Sequence, residues 1–184
     1  VPRSEGLPVI GIERGSPAQR AGLREGDFLL EANGRALRDQ LDFYFYTQDE
    51  ETDIRFRRGD HVKNITLPNS EGEPLGLNLA PLQYRACGNN CVFCFIDQNP
   101  PGLRPSLYFK DEDYRLSFLQ GNYVTLTLVS DEDLERIVEQ HLSPLYVSIH
   151  AVQSRVRREM LGLRRDDRLP EKLDFITDNG IEVH

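Results

Sequence analysis

Tyr123-Val124-Thr125-Leu126-Thr127-Leu128-Val129-Ser130-Asp131-Glu132-Asp133 decides how the second half of this chain is built. Tyr123 to Leu128 is rich in β-branched and aromatic residues and reads as a strand. Ser130 has the character of a helix N-cap. Ser130-Asp131-Glu132-Asp133 resembles a capping box with Asp in place of Glu at the third helical position. Leu134, Ile137, Val138 and Leu142 give the helix that follows one apolar stripe. Leu145 to Ile149 is then an apolar strand. Strand, amphipathic helix and strand in this order make a β/α unit of a parallel sheet, because parallel neighbours need a crossover connection.

The alternation continues outward from this unit. A helix carrying Val156, Met160 and Leu161 is followed by one carrying Leu173, Phe175 and Ile176 that ends at Gly180, and Ile181 to Val183 starts another strand. On the N-terminal side, Asp113 to Leu119 reads as a helix, and residues 97–106 are too proline-rich for a regular element. Leu82 to Arg85 is a short strand leading into the cysteine loop. The first 80 residues read differently. Val9 to Ile12 is a strand; Ser16 caps a short helix with Pro17 at its first position; Gly22 suits its left-handed end. Phe28 to Ala32 is a strand ended by an Asn33-Gly34 turn, and a helix runs from about Asp39 to Thr47. Asp53 to Arg58 and His61 to Leu67 form a hairpin across Gly59-Asp60. Pro68 to Pro74 has the composition of a linker, and Leu75 to Leu79 reads as one further strand.

The chain has 184 residues, 39% hydrophobic and 28% charged, the balance of a soluble globular protein of one domain or two small ones. The net charge of −8 is shared by both halves and excludes nucleic acid as the main partner, since phosphate contacts need a basic face. No apolar run approaches the roughly 18–20 residues that span a bilayer, so no membrane partner and a cytoplasmic location are expected. Val1-Pro2-Arg3 is not an initiator start, Met160 is the only Met, and His184 falls inside an apparent strand, so the sequence reads as part of a longer protein.

All three cysteines, Cys87, Cys91 and Cys94, lie in one C-x3-C-x2-C loop. An odd number in one short window is not a disulfide framework. Soft thiolates at this spacing suit an iron–sulfur cluster or zinc. A structural zinc site wants a fourth Cys or His and normally shows paired arms. Here His61, His141, His150 and His184 are distant in sequence. Ordinary core cysteines are the third alternative.

Two resemblances sharpen this reading. Gly15-Ser16-Pro17-Ala18, Ala21-Gly22-Leu23, Gly26-Asp27 and Leu30-Glu31-Ala32-Asn33-Gly34 resemble the signature of bacterial PDZ domains over about residues 5–68. This implies capture of a peptide C-terminus by strand addition, its carboxylate held by backbone N–H groups. The family's Gly-Leu-Gly-Phe-like loop is absent upstream of Val9, and Leu75-Gly76-Leu77 is its weak permuted counterpart. A PDZ-like domain that only packs against a neighbour is the competing expectation. Second, C-x3-C-x2-C after a first strand, with Phe93 just before the third cysteine, resembles the radical S-adenosylmethionine (SAM) superfamily. That resemblance implies a [4Fe–4S] cluster on Cys87, Cys91 and Cys94. SAM would chelate the fourth iron and be cleaved to a hydrogen-abstracting radical, with Phe93 lining the adenine.

The run Cys91-Val92-Phe93-Cys94-Phe95-Ile96-Asp97-Gln98 narrows the match further, together with Gly102-Leu103-Arg104, Ser106-Leu107-Tyr108, Lys110-Asp111, Asp113 to Leu119 and Gly121 to Thr127. It resembles bacterial PDZ-containing radical SAM iron–sulfur oxidoreductases. The implied fold is mixed α/β: a small PDZ-like β-rich domain (1–74), followed by the first β/α units of a partial radical SAM, TIM-like barrel (75–184). The implied partners are a substrate that the sequence leaves open, an external electron donor and a peptide ligand for the PDZ-like domain. Many superfamily members carry a Gly-Gly-Glu motif after the second strand. This chain has Thr125-Leu126-Thr127-Leu128 there, with Leu128 where the resemblance leads one to expect Asn. Thr125 and Thr127, with Ser148 and His150 on one face of the next strand, are the cofactor-contact candidates. For His150 a core histidine is the alternative. Lys110, Asp111, Asp113 and Arg115 either bind substrate or pair with one another on a solvated face. Arg155, Arg157, Arg158, Arg164 and Arg165 read as the polar face of a helix. A PDZ adaptor with a structural metal and no turnover is the rival function.

Overall fold

The computed structural model describes residues 6–69 and 74–184. The chain divides into two compact units, Val1–Gln83 and Tyr84–His184. In the first, β1 (Leu7–Ile12) leads to α1 (Pro17–Arg20), where the Ser16 side chain accepts the Gln19 N–H as N-cap and Pro17 opens the helix. β2 (Phe28–Ala32) turns into β3 (Arg35–Ala36) through Asn33 and Gly34, both at positive φ (48° and 74°). Asp39 caps α2 (Gln40–Tyr46), accepting from the N–H groups of Leu41 and Asp42. β4 (Glu51–Arg58) and β5 (His61–Pro68) form the expected hairpin, paired from Glu51↔Pro68 to Arg58↔His61. β6 (Leu77–Leu79) pairs antiparallel with β1, giving the order β5-β4-β2-β1-β6 with β3 beside β2. Alternation sets the buried face: Thr52, Ile54 and Phe56 point inward on β4 while Glu51, Asp53 and Arg55 face water. Leu7, Val9, Leu29, Ile54, Phe56 and Leu67 meet Phe43 of α2 in one apolar core. Each such side chain contributes about 1.5–3 kcal/mol on burial. Of the expected linker Pro68 to Pro74, residues 70–73 lie outside the described residues.

The second unit has the expected helices. They are α3 (Tyr114–Gln120), α4 (Asp131–Glu139), α5 (Ser154–Leu161) and α6 (Leu169–Asp178). Asp113 caps α3, and Gly121 ends it in the left-handed region. At α4 both arms of the capping box form, so Asp133 does serve in place of Glu. The strands are a correction. Tyr123–Leu128, Leu145–Ile149 and Ile181–Val183 meet only through parallel bridges, Val124↔Val147 and Leu145↔Val183. The ladder stops after Val124 because Leu126 stands at φ 62°, which turns the chain out of extended conformation. Leu82–Arg85 is not a strand either. The Arg85 N–H goes to the Asp113 carboxylate (2.9 Å) and its carbonyl to the Glu112 N–H (3.2 Å), leaving one antiparallel bridge, Ala86↔Asp111. Among the described residues the parallel contacts of this unit are thus single bridges.

Charged groups are buried beside the apolar core of this unit, which includes Ile137, Leu145, Leu161 and Ile176. Arg157, expected on a polar helix face, is 1% exposed; it pairs with Asp167 at 2.8 Å and donates to the carbonyls of Ile149 and Thr125. Asp113 and Arg115 do pair with one another, but buried and not on a solvated face. Arg85 grips Asp133 through two bonds of 2.7 Å.

Candidate functional site

The cysteine loop is fixed by its backbone. Cys87 N–H donates to Lys110 O (2.6 Å), Asn90 N–H to Leu161 O (3.0 Å) and Val92 N–H to Met160 O (3.0 Å), which ties the loop to the end of α5. Gly162 makes that approach possible: at φ 66°, a Cβ there would sit 2.6 Å from the Asn90 carbonyl oxygen. The Gln98 side-chain amide reaches the carbonyls of Phe93 and Cys94.

Cys87, Cys91 and Cys94 are free thiols, each half-buried. Burial pushes the Cys87 and Cys91 thiols up. Cys94 and Glu112 add to this at Cys87, and Cys87 and Cys94 add to it at Cys91, so the three sulfurs share one local field. Among the described residues, no three His, Cys, Asp or Glu side chains converge on a single metal-ion position. Beside the loop, Lys110 Nζ pairs with Asp97 at 2.6 Å. The Asp97 bond raises the Lys110 pKa, and the Lys110 bond lowers that of Asp97.

Where Gly-Gly-Glu is missing, Thr125 is held by a buried carboxylate. Glu112 is 4% exposed, and its Oε1 accepts the Thr125 N–H (2.8 Å) and the Thr125 hydroxyl (2.7 Å). Burial pushes this carboxyl up, against the bonds from Thr125. Glu112 takes the Thr125 amide, while the carbonyls of Thr125 and Leu126 are taken by two cations. Arg157 donates to Thr125 O and Lys172 to Leu126 O, at 2.6 and 2.7 Å. Thr125 and Thr127 Oγ1 lie 3.0 Å apart. Asn89 of the cysteine loop donates its side-chain amide to Thr125 Oγ1 (3.1 Å) and its N–H to Cys87 Sγ (3.4 Å).

Phe93 and His150 stand ring against ring, centroids 4.8 Å apart. His150 is exposed, so it is not a core histidine, and it stands at φ 57°, past the end of the extended segment. The shared strand face expected for Ser148 and His150 therefore does not arise from a period of two. Burial and the Arg157 charge lower the His150 pKa. Ser148 is half-buried, with its N–H on Val124 O (2.8 Å). Leu128 lies 3.9 Å from the position of a Cβ on Gly88, at the floor of the cysteine loop.

Sequence reasoning passed over Asn89, Glu112 and Lys172. Glu112 sits inside a charged run whose other members were noticed, and nothing in the sequence marks the middle carboxylate as the buried one. Arg157 did carry a signal: it lies four residues before Leu161, on the apolar face of α5.

No helix of the described residues is long and apolar enough to cross a membrane. Residues 9–58 match the family model of a PDZ domain. Among solved structures, the PDZ domain of an SdrC-like protein from Listeria monocytogenes is 23% identical, over 41% of this chain and 87% of its own, at a TM-score of 0.35. That of an SdrC-like protein from Listeria innocua is 20% identical, over 43% and 98%, at 0.36. The HtrA3 PDZ domain bound to a phage-derived ligand, FGRWV, is 22% identical, over 41% and 62%, at 0.33. No curated protein matches the chain. Residues 69–184, more than half of the chain, match the model of a Radical SAM-like domain, and the protein belongs to that family.

Proposed function

We propose that the protein is a radical SAM iron–sulfur oxidoreductase whose Cys87, Cys91 and Cys94 hold a [4Fe–4S] cluster. The observation that carries this is the cysteine loop itself: three half-buried thiols in one field, on a backbone pinned to α5, in a chain of the Radical SAM-like family. The donor set suits a cluster. Three soft thiolates in one short loop can take three corners of a cubane, and the paired arms of a structural zinc site are missing from that loop. Three protein thiolates leave one iron open for SAM. When bound, the pair supplies one-electron cleavage of SAM to a carbon radical that takes hydrogen from a substrate.

The chain's own residues bind and orient. Phe93 and His150 form an aromatic wall beside the loop, suited to the adenine face. Thr125 and Thr127 stand where Gly-Gly-Glu would receive the SAM amino group, but their hydroxyls are already engaged. We assign Ser148 to the ribose or the substrate. Electrons come from an external donor, and reduced thiols fit a cytoplasmic setting.

A second reading concerns the PDZ domain. Among the described residues β6 has one neighbour in the sheet, so its outer edge is a template for an added peptide strand. Gln40, the first residue of α2, already donates its side-chain amide to the carbonyls of Leu79 and Ala80 at 3.1 and 2.9 Å. An incoming strand must displace it.

Anaerobic reconstitution followed by iron, sulfide and zinc analysis tests the enzyme reading against the adaptor reading. Brown protein with about four irons per chain, lost in Cys91→Ala, is the expected result. Colourless protein with one zinc would transfer the protein to the adaptor class.

A further inference from the structure

We propose that Glu112 is a positioning residue for the cysteine loop, acting through Thr125 and Asn89 to aim the Asn89 N–H at Cys87 Sγ. The inference rests on the cluster reading for its purpose but not for its geometry.

The hydrogen bonds have one self-consistent direction. The Glu112 carboxylate accepts only, so the Thr125 hydroxyl donates its proton to Oε1. That leaves the lone pairs of Thr125 Oγ1 to accept the Asn89 amide at 3.1 Å and the Thr127 hydroxyl at 3.0 Å. Asn89 is thereby held at its side chain, and its backbone N–H reaches Cys87 Sγ. Hydrogen bonds to ligand sulfurs are one of the levers that set an iron–sulfur potential, and outer partners fix the orientation of the ligands.

Glu112 is itself over-determined. The Leu126 backbone at φ 62° is a strained conformation for a non-glycine residue, and Leu126 is fully buried. It persists because Arg157 and Lys172 hold the carbonyls of Thr125 and Leu126 while Glu112 takes the Thr125 N–H. Two buried cations and one buried anion clamp two residues. A turn needed only to change direction would use glycine and no charge. The clamp delivers a hydroxyl at a fixed point under the cysteine loop.

The test compares Thr125→Val, which keeps the shape and removes the hydroxyl, with Thr125→Ser, which restores it, and with Glu112→Gln. Two readouts separate this proposal from the cluster reading. In the metal-free full chain, hydrogen exchange is followed over residues 86–94. Thr125→Val and Glu112→Gln are expected to speed it at least tenfold while α4 and α6 are unchanged, and Thr125→Ser to restore the wild-type rate. In the iron-loaded protein, the midpoint potential is expected to shift in the first two variants and return in Thr125→Ser. Loop exchange equal to wild type in Thr125→Val overturns the proposal, whether or not iron binds. Exchange raised everywhere in the unit also overturns it, since that marks a structural role alone. Wild-type protein that never loads iron contradicts the cluster reading and leaves the exchange result to decide this one.

Discussion

The two units of this chain both bury an apolar core, but the second adds more buried charge to it. The PDZ domain buries an apolar face: Leu7, Val9, Leu29, Ile54, Phe56 and Leu67 come from alternating strand positions, and Phe43 from one helix. Its buried polar groups are the caps Ser16 and Asp39 and a few others, with a long-range ion pair, Asp27 with Arg58. The Radical SAM-like unit buries Glu112, Asp113, Arg115, Asp133, Arg136, Arg157 and Lys172, and its parallel strands meet at single bridges. Charges that would be costly alone replace ladder hydrogen bonds as the means of fixing the backbone. The first strategy makes a scaffold. The second makes a rigid seat for a loop, at the cost of dependence on each partner.

That contrast can be broken from either side. The largest effects come from the two interiors. Arg157→Leu leaves Asp167 and two carbonyls without their donor and is expected to cost about 3–5 kcal/mol, confined to the second unit. Phe56→Ala is expected to cost about 3–5 kcal/mol, confined to the first. Hydrogen exchange read unit by unit distinguishes them, and loss of protection in both units from either change would undo the comparison.

Acid should also separate the units. Burial pushes Asp113 and Asp133 up, but Arg115 and the Arg85 N–H at the first, and Arg85 and the Ser130 N–H at the second, outweigh it and hold both below the usual carboxylate range. Their contribution is therefore present above the unfolded value of about 3.9 and lost as pH falls through the folded values. On acidification the second unit should lose exchange protection first. Simultaneous loss in the two units would count against the charged-interior account.

Smaller effects probe single fittings. Ser130→Ala removes the capping box of α4 and should cost about 1 kcal/mol in urea unfolding of the second unit. Gln40→Ala removes two bonds to the β6 edge, each worth about 0.5–1.5 kcal/mol. It should tighten binding of C-terminal peptides in a fluorescence-anisotropy titration if that edge is the docking strand, and weaker binding would argue that Gln40 itself contacts the peptide.

How much of this was legible in the sequence follows the same division. In the PDZ domain, period-two alternation, Asn33-Gly34, Gly59-Asp60 and the cap at Ser16 all read locally, and the structure has the elements they imply. The helices of the second unit were legible for the same reason. Its strands were not, because Leu126 turns the chain by virtue of contacts with Glu112, Arg157 and Lys172, which are distant in sequence and invisible to periodicity. The cysteines stood out through spacing alone. Glu112 and Asn89 did not, because a buried carboxylate and an anchored amide look like any polar residue until their partners are in place.

The central claim is that the cysteine loop holds a cluster with an open iron. Its most direct test is the EPR spectrum of reduced, iron-reconstituted protein under anaerobic conditions, with and without SAM. A [4Fe–4S]⁺ signal that changes when SAM is added is the predicted result. A cluster signal indifferent to SAM, or no cluster signal at all, would contradict the account.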